Sequence, residues 1–201
     1  MSHYYSKHQD LAHHRKQLQF TLRNFPLQFI SDSGVFSKDG VDYGSRVLIE
    51  AMDIPEDATV LDVGCGYGPI GLTAAKLATR GHVTMVDVNK RALELAKENA
   101  ALNRIDNVSI EESDALAAIG DRTFDVILTN PPIRAGKEVV HRIFEESYAH
   151  LKPNGCLWIV IQKKQGAPSA WTKLEMLFGE DAVEEVTKDK GYRIFKARKQ
   201  A

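Results

Sequence analysis

Residues 59–68 read TVLDVGCGYG, and this stretch decides the fold. Residues 59–63 form a short apolar, β-branched run typical of a buried strand. Three glycines follow at alternate positions, and residues 69–78, PIGLTAAKLA, carry apolar side chains at helical spacing. The pattern predicts a strand, a tight glycine turn and a helix. Such a turn brings bare backbone to the carboxyl end of a parallel strand, where α/β sheets bind ligands.

The same alternation of strand and helix continues along the chain. A β-hairpin should close it, because only residues 188–191 separate its last two strands. We therefore predict an α/β fold with a mostly parallel seven-stranded sheet, an antiparallel final hairpin and helices on both faces. Beyond the glycine turn, the predicted strands are residues 82–87, 107–111, 124–129, 155–161, 182–187 and 192–197, and the predicted helices are residues 90–103, 138–151 and 169–178.

Before the glycine turn the pattern is different. Residues 18–22 and 25–29 each alternate apolar and polar side chains, which predicts a β-hairpin. Pro26 limits its second strand to an edge position or a bulge. Residues 42–52 then predict a helix that Pro55 ends. We divide the chain into an N-terminal extension, residues 1–31, and a main domain, residues 32–201.

Composition narrows the class of protein. The 201 residues carry a net charge of −1 and no apolar run of membrane-spanning length. Two cysteines give neither a disulfide framework nor a metal-ligand spacing. We therefore expect a cytoplasmic protein with no membrane partner and no metal. Both ends are basic, which could help to hold a polyanion, although ordinary solvated surface explains the charge at least as well.

A carboxylate ends the strand that follows the glycine turn. Asp87 lies nineteen residues after Gly68. At that place it can accept hydrogen bonds from both hydroxyls of an adenosine ribose, at about 1.5–3 kcal/mol each. Asp87 alone could be a helix cap, but together with the glycine turn and the spacing it favours a nucleoside site.

Residues 60–68 and Asp87 together resemble motifs I and II of class I S-adenosylmethionine-dependent methyltransferases, a Rossmann-like fold. The resemblance implies that S-adenosylmethionine is the cofactor, that the glycine turn holds its methionine end and that Asp87 holds its ribose. It also implies that Asp114 contacts the adenine amino group and that Ala115 packs beside the ring, although Asp114 could instead be a helix cap. The implied cofactor-binding residues are Asp62, Gly64, Cys65, Gly66, Gly68, Asp87, Val88, Asp114, Ala115 and Asn130.

Residues 130–133, NPPI, follow the fourth strand of the α/β series. They resemble the Asn-Pro-Pro-aromatic motif of methyltransferases that act on planar amino nitrogens, namely adenine N6, guanine N2 and the glutamine amide. Such a nitrogen is a poor nucleophile because its lone pair is shared with the ring or carbonyl. The Asn130 side-chain oxygen and the Pro131 carbonyl can each accept an N–H, which aims the nitrogen and supports its growing charge. Asn130 and Pro131 are therefore the predicted catalytic residues.

Further segments narrow the resemblance. Residues 34–37 (GVFS), 42–45 (DYGS) and 130–137 (NPPIRAGK) resemble bacterial small-subunit ribosomal RNA guanine-N2 methyltransferases of the small-methyltransferase-domain family. This implies guanine N2 of ribosomal RNA as the target, and RNA or a ribosomal subunit as the partner. Ile133 departs from the family, which usually has Phe or Tyr there. The predicted substrate-binding residues are Phe36, Pro132, Ile133, Arg134 and Lys137.

Other interpretations stay open from the sequence. The same fold and cofactor could serve a protein glutamine amide, adenine N6 or a small molecule. The chain could also be an RNA-binding module that has lost catalysis, although Asp62, Asp87 and Asn130 argue against this. A nicotinamide oxidoreductase is disfavoured by the glycine spacing and by residues 130–132. Phe36 could equally plug the core, and Lys137 could be a solvated lysine.

Overall fold

The computed structural model describes residues 12–35, 37 and 40–201. Within them the helices are α1 (Tyr43–Ala51), α2 (Pro69–Leu77), α3 (Lys90–Leu102), α4 (Lys137–His150) and α5 (Ala167–Phe178). The strands are β1 (Lys16–Leu22), β2 (Phe25–Ser31), β3 (Thr59–Val63), β4 (His82–Asp87), β5 (Val108–Glu112), β6 (Phe124–Thr129), β7 (Leu151–Gln162), β8 (Val183–Asp189) and β9 (Tyr192–Arg198).

The predicted α/β architecture is confirmed. Seven strands form one sheet in the order β5-β4-β3-β6-β7-β9-β8, and β1 and β2 form a separate antiparallel hairpin. Strands β5, β4, β3, β6 and β7 pair in parallel, whereas β9 runs antiparallel to both of its neighbours. The carboxyl ends of the parallel strands therefore share one edge of the sheet, which we call the carboxyl edge.

The final hairpin is tighter than the sequence predicts. Residues 188–191 were expected to form the connection, but β8 continues to Asp189, so only Lys190 and Gly191 turn the chain. Both have positive φ, +47° and +83°. A two-residue turn of this kind matches the twist of the paired strands and lets the hydrogen-bond ladder extend to the turn.

Helices cover both faces of the sheet and create two apolar cores. On one face, α1, α2 and α3 bury side chains such as Leu48, Leu72 and Leu93 together with the N-terminal hairpin. On the other face, α4 and α5 bury Phe144 and Leu174. None of the described helices is both long enough and apolar enough to cross a bilayer.

The N-terminal hairpin is attached to the main domain through α3. Asn99 is fully buried, and its side chain accepts the Ile30 N–H at 2.7 Å and donates to the Ile30 and Tyr67 carbonyls at 3.0 and 2.9 Å. One turn later, Asn103 exchanges the same pair of bonds with Gln28. These asparagines satisfy the outer edge of β2, which would otherwise expose unpaired backbone groups. Residues 1–11 of the predicted extension lie outside the described residues.

Candidate active site

The strand register brings the predicted site residues to the carboxyl edge. Val63 pairs with Thr129, so Gly64 and Asn130 follow at the tips of neighbouring strands. Asp87 ends β4 on the other side of β3. Its carbonyl accepts the Ser113 N–H at 3.1 Å, which places Asp114 beyond the next strand. Four positions that are far apart in sequence therefore follow one another along the carboxyl edge, in the order Asp114, Asp87, Gly64 and Asn130.

The glycine turn keeps a space open beside this row. Gly64 and Gly66 have φ of +73° and +57°, and a Cβ on either would meet no protein atom within 4 Å. The N–H groups of Gly64 and Cys65 both donate to the Val86 carbonyl at 2.9 Å, so the turn is fixed onto β4. The Cys65 side chain is buried, and burial raises the pKa of its thiol. This part of the turn contributes an open backbone cradle.

The next two glycines are needed for packing instead. Gly68 is the N-cap of α2, and a Cβ there would lie 2.9 Å from the Leu72 side chain. A Cβ on Gly71 would lie 2.7 Å from Met85 and 2.8 Å from Asp62 Oδ2. These positions let α2 approach the sheet closely, which brings the helix N-terminus to the cradle.

Asp87 is held by backbone donors on both sides. Its Oδ2 accepts the Gly66 N–H and its Oδ1 accepts the Asn89 N–H, each at 2.9 Å. Burial raises the pKa of Asp87, although the N–H groups of Asn89, Gly66 and Val88 oppose the rise. A carboxylate has about four acceptor positions, so these three N–H groups leave the capacity to accept a ribose hydroxyl.

Asp62 is the second buried carboxylate of the site. Its side chain is fully buried, and neither oxygen has a hydrogen-bond partner among the described residues. Burial raises the pKa of Asp62 to about 7 and the charge of Asp87 raises it further, whereas the nearby Gly71 N–H, which forms no well-directed hydrogen bond to either oxygen, lowers it. A buried carboxyl group without a partner is unfavourable, so a positively charged ligand group nearby would satisfy it.

The predicted adenine-side residues lie on the far side of Asp87. Val88 directly follows Asp87 and is half-buried, and Ala115 is buried with a φ of +49°. The Asp114 carboxylate forms an ion pair with Arg142 of α4 at 2.7 Å. No described helix begins between β5 and β6, so Asp114 is not a helix cap, and a ligand amino group would share its carboxylate with Arg142.

Asn130 is oriented by the loop and helix that precede the glycine turn. Its Nδ2 donates to Asp42 Oδ2 at 3.1 Å and to Ser45 Oγ at 3.0 Å. Both amide hydrogens are thereby used. The Asn130 Oδ1 remains as the acceptor, which is the orientation that binding of a substrate N–H requires.

Asp42 and Ser45 were not identified as site residues from the sequence. Asp42 is the N-cap of α1 and also accepts the Ser45 N–H at 3.0 Å. The sequence predicts the helix at residues 42–52, but nothing in it indicates that the start of this helix meets Asn130, which lies 88 residues after Asp42.

The rest of the predicted substrate segment forms a tight turn into α4. Pro131 is buried and Pro132 and Ile133 are half-buried, whereas Arg134 and Lys137 are exposed. The Ala135 N–H donates to the Pro132 carbonyl at 2.9 Å, which fixes the turn. Ile133 packs against the α4–α5 core. Phe36 lies outside the described residues.

The loop between the N-terminal hairpin and α1 borders the cradle. Asn89 donates to the Gly34 carbonyl at 2.9 Å, and Tyr67 of the glycine turn donates to the Ser37 carbonyl at 3.3 Å.

The residues that the structure describes contain no group of three or more His, Cys, Asp or Glu side chains that could hold a metal ion.

Comparison with known proteins agrees with this geometry. The sequence profile of the methyltransferase small domain matches residues 26–196. The chain belongs to this family, and the family's cofactor is S-adenosylmethionine.

Relatives and a solved structure extend the comparison. The chain is 56% identical to the "Uncharacterized protein YbxB" of Bacillus subtilis (strain 168), over 98% of both chains. It is 32% identical to ribosomal RNA large subunit methyltransferase G of Pseudomonas putida (strain W619), covering 90% of this chain and 49% of that protein.

The structure of the T. thermophilus 16S rRNA N2 methyltransferase RsmC with AdoMet and guanosine superposes with a TM-score of 0.82 at 25% identity. That match covers 92% of this chain and 51% of the other. The chain thus spans about half the length of these two RNA methyltransferases.

Proposed function

We propose that this chain transfers the methyl group of S-adenosylmethionine to the exocyclic amine N2 of a guanine in small-subunit ribosomal RNA. The observation that carries the proposal is the orientation of Asn130. Its amide hydrogens are held by Asp42 and Ser45, so its oxygen is available to a substrate N–H beside the glycine cradle. The relatives that act on ribosomal RNA supply the class of substrate.

The residues present fit the cofactor. The space at Gly64 and Gly66, the remaining acceptor capacity of Asp87 and the unpartnered Asp62 suit its methionine end and ribose. When bound, S-adenosylmethionine supplies an electrophilic methyl group on a sulfonium sulfur.

Asn130 and Pro131 position the substrate nitrogen. The Asn130 Oδ1 and the Pro131 carbonyl each accept one N–H of the planar amine, which fixes the nitrogen for in-line attack. As positive charge grows on the nitrogen, both acceptors stabilise it. The turn at residues 133–135 and the two prolines keep the acceptors from moving. The aliphatic Ile133 covers the base by apolar contact only.

The proposal is tested by methyl transfer with isotope-labelled S-adenosylmethionine. Deproteinised ribosomal RNA and intact small and large subunits are offered separately, and the RNA is digested to nucleosides for mass spectrometry. Label in N2-methylguanosine from the small subunit supports the proposal. Label in N6-methyladenosine, in large-subunit RNA alone or in ribosomal protein identifies a different acceptor and overturns the stated target.

A further inference from the structure

A group of four lysines extends the carboxyl edge beyond the candidate active site. Lys163 and Lys164 lie in the short 3-10 turn after β7, and Lys188 and Lys190 lie at the β8–β9 turn. The Lys163 N–H donates to the Gly191 carbonyl at 2.8 Å, so the two segments adjoin. We call these four residues the lysine rim.

A series of contacts through Tyr192 and α1 leads from the lysine rim to Asn130. Tyr192 begins β9 immediately after the turn. Gly44 of α1 lies so close to it that an added Cβ would be 2.8 Å from the Tyr192 ring. The next residue, Ser45, accepts the hydrogen bond from Asn130. The rim therefore lies on the same edge of the sheet as Asn130, and packed residues of α1 and β9 connect the two.

What distinguishes the rim lysines is that four of them cluster at two adjoining turns. Some exposed bases of the described surface form ion pairs, such as Arg80 with Glu56 at 2.6 Å and Arg122 with Glu111 at 2.9 Å, whereas others, such as Lys97 and Arg104, form none with a described residue. Among the described residues, none pairs with a lysine of the rim. Lys190 instead lies 4.8 Å above the Tyr43 ring, and the hydroxyl of Tyr43 donates to the neighbouring Asp189.

Unpaired like charges repel each other, and a polyanion removes that repulsion. A target amine must be unpaired to reach Asn130, and sequence-specific RNA recognition mostly targets single-stranded loops and bulges, whose flanking phosphates are open to contact. Point charges such as lysine bind its phosphates without reading sequence.

We propose that the lysine rim binds the phosphates of single-stranded RNA flanking the target nucleotide; this inference rests on the proposed function. The probe is a fluorescein-labelled, 15-nucleotide single-stranded RNA of mixed sequence, and binding is followed by anisotropy over a range of salt concentrations. The rim variant combines Lys163→Gln, Lys164→Gln and Lys188→Gln and leaves Lys190 on Tyr43. The matched control combines Lys97→Gln, Arg104→Gln and Arg198→Gln, which are exposed and distant from the rim.

The rim variant should bind the RNA about 10- to 100-fold more weakly at low salt, with a salt slope smaller by about 2, because each lost phosphate contact removes about 0.7. The control should keep most of the affinity, and both variants should bind S-adenosylmethionine as the wild type does. Unchanged affinity and slope in the rim variant, or an equal loss in the control, overturns the proposal. Tighter wild-type binding to polyglutamate of the same length than to RNA also overturns it, in favour of an acidic protein.

Binding is measured without methyl transfer, so the two proposals fail separately. A wild type that methylates RNA while its rim variant binds normally overturns only the rim. A wild type that binds RNA through the rim but methylates none overturns the proposed function.

Discussion

The side-chain amide of Asn130 donates to Asp42 Oδ2 at 3.1 Å, which joins the tip of β6 to the start of α1. This bond and the matching one to Ser45 hold both amide hydrogens, which leaves the Asn130 Oδ1 as the acceptor. Asp42 and Ser45 are thus positioning residues in the proposed mechanism, because they act through Asn130.

Replacing both acceptors tests this role. The double variant Asp42→Ala/Ser45→Ala should lower kcat about 10- to 100-fold, because a rotated Asn130 amide no longer presents its oxygen to the substrate amine. The dissociation constant of S-adenosylmethionine should stay within about twofold of the wild type. Steady-state kinetics and calorimetry measure the two quantities.

The conservative variant Asp42→Asn is the control for the cap. Its side-chain oxygen can still accept from Ser45 and Asn130, so activity should largely return. If Asp42→Asn is as inactive as the double variant, or if cofactor binding falls in parallel with kcat, the positioning role is wrong.

Substitutions of Asp87 and of Asn130 should have different effects on cofactor binding and on turnover. Asp87→Ala removes the proposed ribose acceptor and should abolish detectable S-adenosylmethionine binding. Asn130→Ala should bind the cofactor normally and lose turnover, because Asn130 is proposed to act on the amine. Calorimetry beside a methyl-transfer assay measures both, and normal cofactor binding by Asp87→Ala would refute the ribose role.

Because Asp62 is buried and its pKa is raised, we predict that cofactor binding releases a proton from it. Its pKa is raised to about 7 in the free protein. A cationic ligand group favours the carboxylate, so binding at pH 7 should release about half a proton. Calorimetry in buffers of different ionisation enthalpy measures this release, and Asp62→Asn should abolish most of it. Equal proton release by wild type and Asp62→Asn would contradict the assignment.

The same group affects stability. Because its folded pKa lies above the unfolded value, the native state binds more protons than the unfolded state between about pH 4 and 7. The contribution of Asp62 to the free energy of unfolding should therefore fall as pH rises through that window. Denaturant unfolding of Asp62→Asn should show a weaker decline than that of the wild type.

Gly71 tests how closely α2 must approach the sheet. In an unobstructed helix, Gly→Ala stabilises by about 1 kcal/mol. Here the new methyl would lie 2.7 Å from Met85, so Gly71→Ala should destabilise by about 1–3 kcal/mol. Denaturant unfolding measures the change, with Thr172→Ala on the exposed side of α5 as a helix control that should be neutral or stabilising. A Gly71→Ala protein as stable as the wild type would contradict the packing described above.

Local signals made much of the fold predictable. The glycine turn, the helix that follows it and the alternation of β1 and β2 depend on neighbouring residues, and the structure contains each of them. Helix and strand ends moved by one or two residues, apart from the longer β7 and the shorter final turn. That turn requires a positive φ at Lys190, which the sequence does not indicate because lysine rarely adopts that conformation.

Long-range contacts account for what the sequence could not give. Asn130 and Asp42 are 88 residues apart, and the pair of Asp114 with Arg142 spans 28. Asn99 reads as one more polar position on α3, yet it is fully buried and holds the N-terminal hairpin. Only the packed fold brings these partners together.

The most direct test of the account is a crystal structure of the protein with S-adenosylmethionine and guanosine. Guanosine N2 should lie about 3 Å from both Asn130 Oδ1 and the Pro131 carbonyl oxygen. It should also lie about 3–3.5 Å from the transferable methyl carbon, in line with the sulfur. An Asn130 oxygen turned away from that carbon, or a guanosine bound elsewhere, would refute the proposed mechanism.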